Sequence, residues 1–125
     1  MCKINQKGQI LKKKYNLFKN ASYALQGILT LLKERAFQLE LLFVIPLLAL
    51  LFFLDLSAIQ KSIMAASLIF ILITEALNTA VEYTVDLVTD EWHEFAKRAK
   101  DTASAAVFFS LVQAAVIWGI NLFLS

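Results

Sequence analysis

From Ala36 onward, long apolar runs alternate with short clusters of charge, and the length of each run sets the expected architecture. A helix needs about 20 residues to cross a hydrocarbon core of about 30 Å. Three stretches qualify: Ala36 to Leu54, Ala58 to Val81 and Ala103 to Leu124. The third has no charge between Asp101 and the C-terminus. The first holds the uninterrupted run Leu41 to Leu54, in which Pro46 is expected to kink the helix unless neighbours recapture the freed carbonyl. Upstream, from Tyr15 to Arg35, Leu17, Phe18, Ala21, Ala24, Leu25, Ile28, Leu31 and Leu32 recur at helical spacing among Lys19, Asn20, Gln26 and Lys33, which predicts an amphipathic helix lying along a membrane surface. Residues 1 to about 14 read as a frayed polar tail, and Asp90 to Asp101 as a charged loop. The pattern predicts an all-α membrane protein in one domain, residues 1–125: a tail and surface helix (1–35) followed by transmembrane helices at 36–54, 58–81 and 103–124.

Composition agrees, with 59% hydrophobic and 18% charged residues. The net charge of +2 is too small to point to nucleic acid as a partner. Instead the basic residues sort by topology. Lys3, Lys7, Lys12, Lys13, Lys14, Lys19, Lys33 and Arg35 precede the first span, and Lys97, Arg98 and Lys100 lie between the second and third, whereas Lys61 alone sits near the 55–61 link. The positive-inside rule therefore puts the N-terminus and the second loop in the cytoplasm, and the first loop and Ser125 on the far side. Lys12 to Lys14 are expected to meet lipid headgroups. A single cysteine, Cys2, excludes an intrachain disulfide and a cysteine-rich metal site. The first twenty residues lack an apolar core, so no signal peptide is expected.

The candidate chemistry lies where the second apolar stretch ends. At about 100° per residue, with Glu75 as zero, Asn78 falls near −60°, Glu82 near −20° and Asp86 near +20°, so all four share one stripe. A carboxylate at the edge of a hydrocarbon core costs roughly 2.5–3.5 kcal/mol on insertion scales and is normally found facing a protein interior or an aqueous cavity. Three helices are not expected to surround such a stripe, which predicts oligomerisation, aided by the small residues Ala65, Ala66, Ser67 and Ala103 to Ala106. Glu75 and Glu82 stand two turns apart, about 10 Å along the axis. Hard oxygen ligands of this kind suit magnesium, which takes one or two carboxylates and completes its shell with water and phosphate oxygens. The deeper acid, Glu75, suits a general base. Lys100 and Asp101 offer a phosphate-pairing cation and an orienting acid, with Ser104 one turn on. Neither G-x-x-x-x-G-K-[ST] nor G-x-G-x-x-G is present, so a nucleotide site here is not of the P-loop or protein-kinase kind. His93 alone reads as a loop histidine, and a small ion-conducting oligomer with the acids along a cation path is the competing function.

The run Glu75-Ala76-Leu77-Asn78-Thr79-Ala80-Val81-Glu82, with Asp86, then Glu91-Trp92-His93-Glu94, Ala99-Lys100-Asp101 and Ser104-Ala105-Ala106-Val107, resembles the signature of the prokaryotic diacylglycerol kinase family. The likeness extends from about Lys12 through Glu34 and Ala36-Phe37 to Trp118. It implies a small integral-membrane enzyme of the bacterial inner membrane that transfers the γ-phosphate of ATP to a lipid alcohol, as a homotrimer with active sites shared between protomers. By the same resemblance Glu75 is the base, Asn78 orients the base or the phosphate, and Glu34 and Glu82 hold Mg2+ on the ATP phosphates. Lys100 and Asp101 contact the nucleotide, Glu91 and His93 lie on its adenosine side with Tyr23 nearby, and Ser104 and Trp118 border the lipid. Two positions depart from the pattern: Asn16 stands where some relatives carry arginine, and Lys97 where others carry glycine. One branch of the family acts on diacylglycerol and another on undecaprenol. The segments Arg98 to Asp101 and Ser104 to Val107, with Trp118, look more like the first.

Overall fold

Along the longest helix the buried positions are Met64, Ser67, Leu68, Ile71, Thr74, Glu75, Asn78 and Thr79, a repeat of three and four residues that marks a continuous packed seam. The computed structural model describes residues 4–10 and 14–124; Cys2, Lys3, Lys12, Lys13 and Ser125 lie outside the described residues. Four helices carry the regular structure: α1 (Leu17–Leu31), α2 (Arg35–Leu50), α3 (Ala58–Val88) and α4 (Glu94–Phe123). The chain divides into two units, residues 1–30 and 31–125.

In the first unit, residues 4–10 close into a tight turn rather than fraying. Asn5 Oδ1 accepts from the backbone N–H groups of Lys7 and Gln9, each at 3.0 Å, Gly8 takes φ +70°, and Ile4 and Ile10 form a single bridge. An Asx side chain supplies the turn and glycine the left-handed conformation, and a reading from polarity alone overlooks both. Asn16 then caps α1, its Oδ1 accepting from Phe18 N (3.1 Å) and Lys19 N (3.3 Å). Leu17, Phe18, Leu25 and Leu29 on this helix are exposed.

In the second unit α3 packs against both α2 and α4. Its apolar half, Leu68 and Ile71, meets Val44 of α2 and Ala114 of α4, with Leu47, Leu48, Leu72 and Trp118 around them. A hydroxyl pair extends the seam: Thr74 Oγ1 and Ser110 Oγ lie 2.9 Å apart, both buried. The Trp118 indole N–H donates to the Met64 carbonyl at 3.3 Å, a second polar tie between the same helices.

Helices α3 and α4 are 31 and 30 residues long, each with an apolar window sufficient to cross a membrane. Only 11% of that window in α4 is buried. Side chains such as Phe108, Phe109, Val112, Val116 and Ile120 thus form an uncovered apolar surface, which is the surface a bilayer solvates. The first expected span is shorter as a helix. α2 runs through Pro46 but ends at Leu50, where Phe52 N and Phe53 N bond back three residues to Ala49 and Leu50, tightening the chain into turns. Ser57 restarts it with a capping box: its Oγ accepts from Gln60 N while its own N–H donates to Gln60 Oε1.

Two expectations need correcting. The 90–101 stretch is a loop only as far as His93; from Glu94 it is helix. His93 Nδ1 accepts from Phe95 N at 3.1 Å as the N-cap, and Glu94–Arg98 and Lys97–Asp101 pair at i,i+4, so the charges that suggested a loop are helix-stabilising pairs. The acid stripe, in turn, is covered by its own chain at its inner end, whereas Glu82 is half-buried and Asp86 exposed. Glu75 is 4% and Asn78 8% exposed within one chain, because α2 and α4 close over them.

A candidate active site at the polar end of the helical seam

Below Ile71 the α3 seam turns polar without changing direction. Thr74, Glu75, Asn78 and Thr79 replace the aliphatic residues at the same periodic positions. α2 does likewise: Phe37, Glu40 and Val44 share its inward stripe, so Glu40 is carried into the same layer as Glu75. Together with α4 the two helices enclose a cavity of about 390 Å³ lined by Glu34, Ala36, Glu40, Glu75, Asn78, Thr79, Glu82, Ser104 and Val107.

Four carboxylates face this space and no lysine or arginine lines it. Glu34 is the N-cap residue of α2 but makes no side-chain cap; the Tyr83 hydroxyl of α3 donates to its carboxylate instead, turning it toward the cavity. Asn78 Nδ2 reaches Glu82 Oε1 at a long 3.4 Å. Glu40 and Glu75 line the cavity from facing helices. Glu40 Oε2 and Asn78 Oδ1 are fully enclosed and accept from nothing among the described residues. Buried acceptors left in this way are what a site keeps for a ligand. Acids gathered without a basic partner also favour a cation, and two carboxylates with phosphate oxygens and water meet the needs of magnesium. Glu34 and Glu82 thus fit the metal role. Groups of three or more His, Cys, Asp and Glu placed to hold a metal ion are absent among the described residues.

A second cavity, about 280 Å³, lies between the end of α3, the link 89–93 and the start of α4. Asp86, Thr89, Glu91, His93, Lys97, Lys100 and Asp101 are among its lining residues. Lys100 Nζ bonds Asp86 Oδ1 at 2.6 Å, joining α4 to α3 beyond the apolar windows. Lys97 is tied to Asp101. His93 serves as the α4 cap and stacks against Phe95.

The structure therefore brings Glu34, Glu75, Asn78, Glu82 and Ser104 to one cavity and Glu91, His93, Lys100 and Asp101 to another. Trp118 lines neither and instead packs at the apolar end of the seam. Tyr23 lies on α1, in the first unit. Glu40 is the residue that sequence reasoning passed over as a site member. Its signal was the three- and four-residue spacing to Phe37 and Val44.

The family model described as prokaryotic diacylglycerol kinase matches residues 22–122. A diacylglycerol kinase of Haemophilus influenzae is 38% identical over 109 residues, covering 86% of this chain and 92% of the relative. One of Pseudomonas aeruginosa is 40% identical over 97 residues, covering 77% and 79%. An undecaprenol kinase of Bacillus subtilis is 41% identical over 113 residues, covering 86% and 87%. With a matching model over most of its length and relatives aligned nearly end to end, this chain belongs to the prokaryotic diacylglycerol kinase family.

Proposed function

We propose that the protein is an ATP-dependent kinase that phosphorylates diacylglycerol to phosphatidic acid in the bacterial inner membrane. The observation that carries this reading is the position of Glu75: enclosed, cavity-facing, and placed where an apolar helix seam gives way to acids, so that a lipid hydroxyl can reach it from the bilayer and a phosphate from the water. Glu75 accepts the hydroxyl proton, the hydroxyl oxygen bonds to the γ-phosphorus, and the bond from that phosphorus to the bridging oxygen breaks, releasing ADP. Asn78 orients Glu75 or the phosphate. Ser104 and Trp118 border the lipid. Lys100 and Asp101 hold the nucleotide phosphates, with Glu91 and His93 toward the adenosine. Glu34 and Glu82 would hold Mg2+, which supplies charge neutralisation on the phosphates.

The protein is read as multi-pass with a cytoplasmic N-terminus, from the distribution of lysine and arginine, and as a homotrimer, from the family resemblance. Since Glu75 and Asn78 are covered within one chain, the burial argument does not add to the trimer. The undecaprenol kinase relative is as similar as the diacylglycerol kinases, so overall identity does not separate the two lipids. The test is a thin-layer assay with γ-labelled ATP and both lipids offered side by side in mixed micelles. Label in phosphatidic acid is expected; label only in the polyprenyl phosphate would assign the other substrate, and label in neither would overturn the reading.

A further inference from the structure

Glu40 is 8% exposed and lines the same cavity as Glu75, from the facing helix. Isolated acids are rarely retained at such a position, since an enclosed carboxyl without a cation is costly and an aliphatic side chain would fill the seam as Phe37 and Val44 do. Nor is Glu40 used up by the fold: its Oε2 accepts from nothing among the described residues. The groups facing the pair are acids or neutral: Glu34 before α2, Asn78, Thr79 and Glu82 on α3, and Ser104 on α4. Two carboxyls can share a hydrogen bond only through a proton on one of them, so that one donates and the other accepts.

We infer that Glu40 is a positioning residue, whose carboxyl donates to Glu75 and holds it turned into the cavity with an oxygen toward the incoming lipid hydroxyl. It forms no bond to substrate and takes no part in the transfer itself. A base held in this way is pre-aligned for proton removal, and a small misplacement at such a site costs rate rather than binding. The inference rests on the reading of Glu75 as the base, and the experiment separates the two.

Full-length wild type, Glu75→Gln, Glu40→Met and Glu40→Gln are compared in mixed micelles by kcat and by KM for ATP and lipid, with thermal unfolding as a control. Met matches the shape of Glu40 without a hydrogen bond, whereas Gln keeps a donor. The expected result is a kcat lowered about tenfold or more in Glu40→Met, with both KM values within about twofold, and most of that loss restored in Glu40→Gln. If Glu40→Met does not fold, Glu40→Asp, which withdraws the carboxyl by one methylene, is expected to show the same kcat-only loss. Full activity in Glu75→Gln would overturn the underlying reading. An inactive Glu75→Gln beside a fully active Glu40→Met, or equal losses in Met and Gln, would overturn the role of Glu40 alone.

Discussion

Met64, Leu68 and Ile71 occupy the same stripe of α3 as Thr74, Glu75, Asn78 and Thr79, and both sets are buried, yet they do opposite work. The first set meets Val44, Ala114 and Trp118 in close apolar packing. In the second, Thr74 pairs with Ser110 while Glu75, Asn78 and Thr79 line an open cavity, where Asn78 Oδ1 accepts from nothing among the described residues. Helical periodicity decides which residues turn inward; side-chain chemistry then decides whether the inward space is filled or kept. A seam of one geometry can thus hold the helices together at one end and present reactive groups at the other.

The comparison breaks most readily at Glu75. Glu75→Gln keeps shape and hydrogen bonding while removing the base, so kcat is expected to fall by about two or more orders of magnitude, about 2.7 kcal/mol of barrier, with nucleotide binding retained. Equilibrium nucleotide binding measured beside single-turnover transfer checks both halves of that statement. In the apolar half, Leu68→Ala should do the reverse. It costs about 2 kcal/mol in reversible unfolding, the low end of the core-truncation range, because lipid solvates the unfolded side chain as well as protein does. The kcat per folded molecule should stay unchanged, and a large kcat loss would mean that the two halves are coupled.

A smaller effect separates metal binding from chemistry. Glu82→Ala is expected to raise the magnesium concentration for half-maximal rate about tenfold, with rescue at high metal. An unchanged requirement in both Glu82→Ala and Glu34→Ala would mark the two as structural. The smallest change is expected where the halves join. Thr74→Val removes the hydroxyl contact to Ser110 and should cost only about 0.6 kcal/mol, because hydrogen bonds between membrane helices are individually weak.

Much of the polar half is legible from spacing. The angles of Glu75, Asn78 and Glu82 on an ideal helix put them together, and the structure brings all three to one cavity. Asp86 shares that stripe on paper but lies beyond the cover of α2, so it is exposed and pairs with Lys100. Glu40, in the polar lead-in to the first apolar run, reads as an acid near the membrane interface, and only docking of its helix makes it a site member. The 90–101 segment was obscured by charge density, although Glu94/Arg98 and Lys97/Asp101 carried the i,i+4 spacing all along. That the acids divide between two cavities depends on helix packing, which no single-helix period contains.

The brace between Lys100 and Asp86 has a further consequence. Glu75 and Asp86 belong to one unbroken helix, eleven residues or about 16 Å apart along the axis. Two binding surfaces on one rigid rod have a fixed gauge, and the brace sets the neighbouring rod to the same mark. If Lys100 seats the nucleotide as proposed, its triphosphate is measured off toward Glu75 by backbone rise. One residue inserted between Glu82 and Asp86 would lengthen that gauge by about 1.5 Å and turn its far end by about 100°, carrying Asp86 away from Lys100 and undoing the brace.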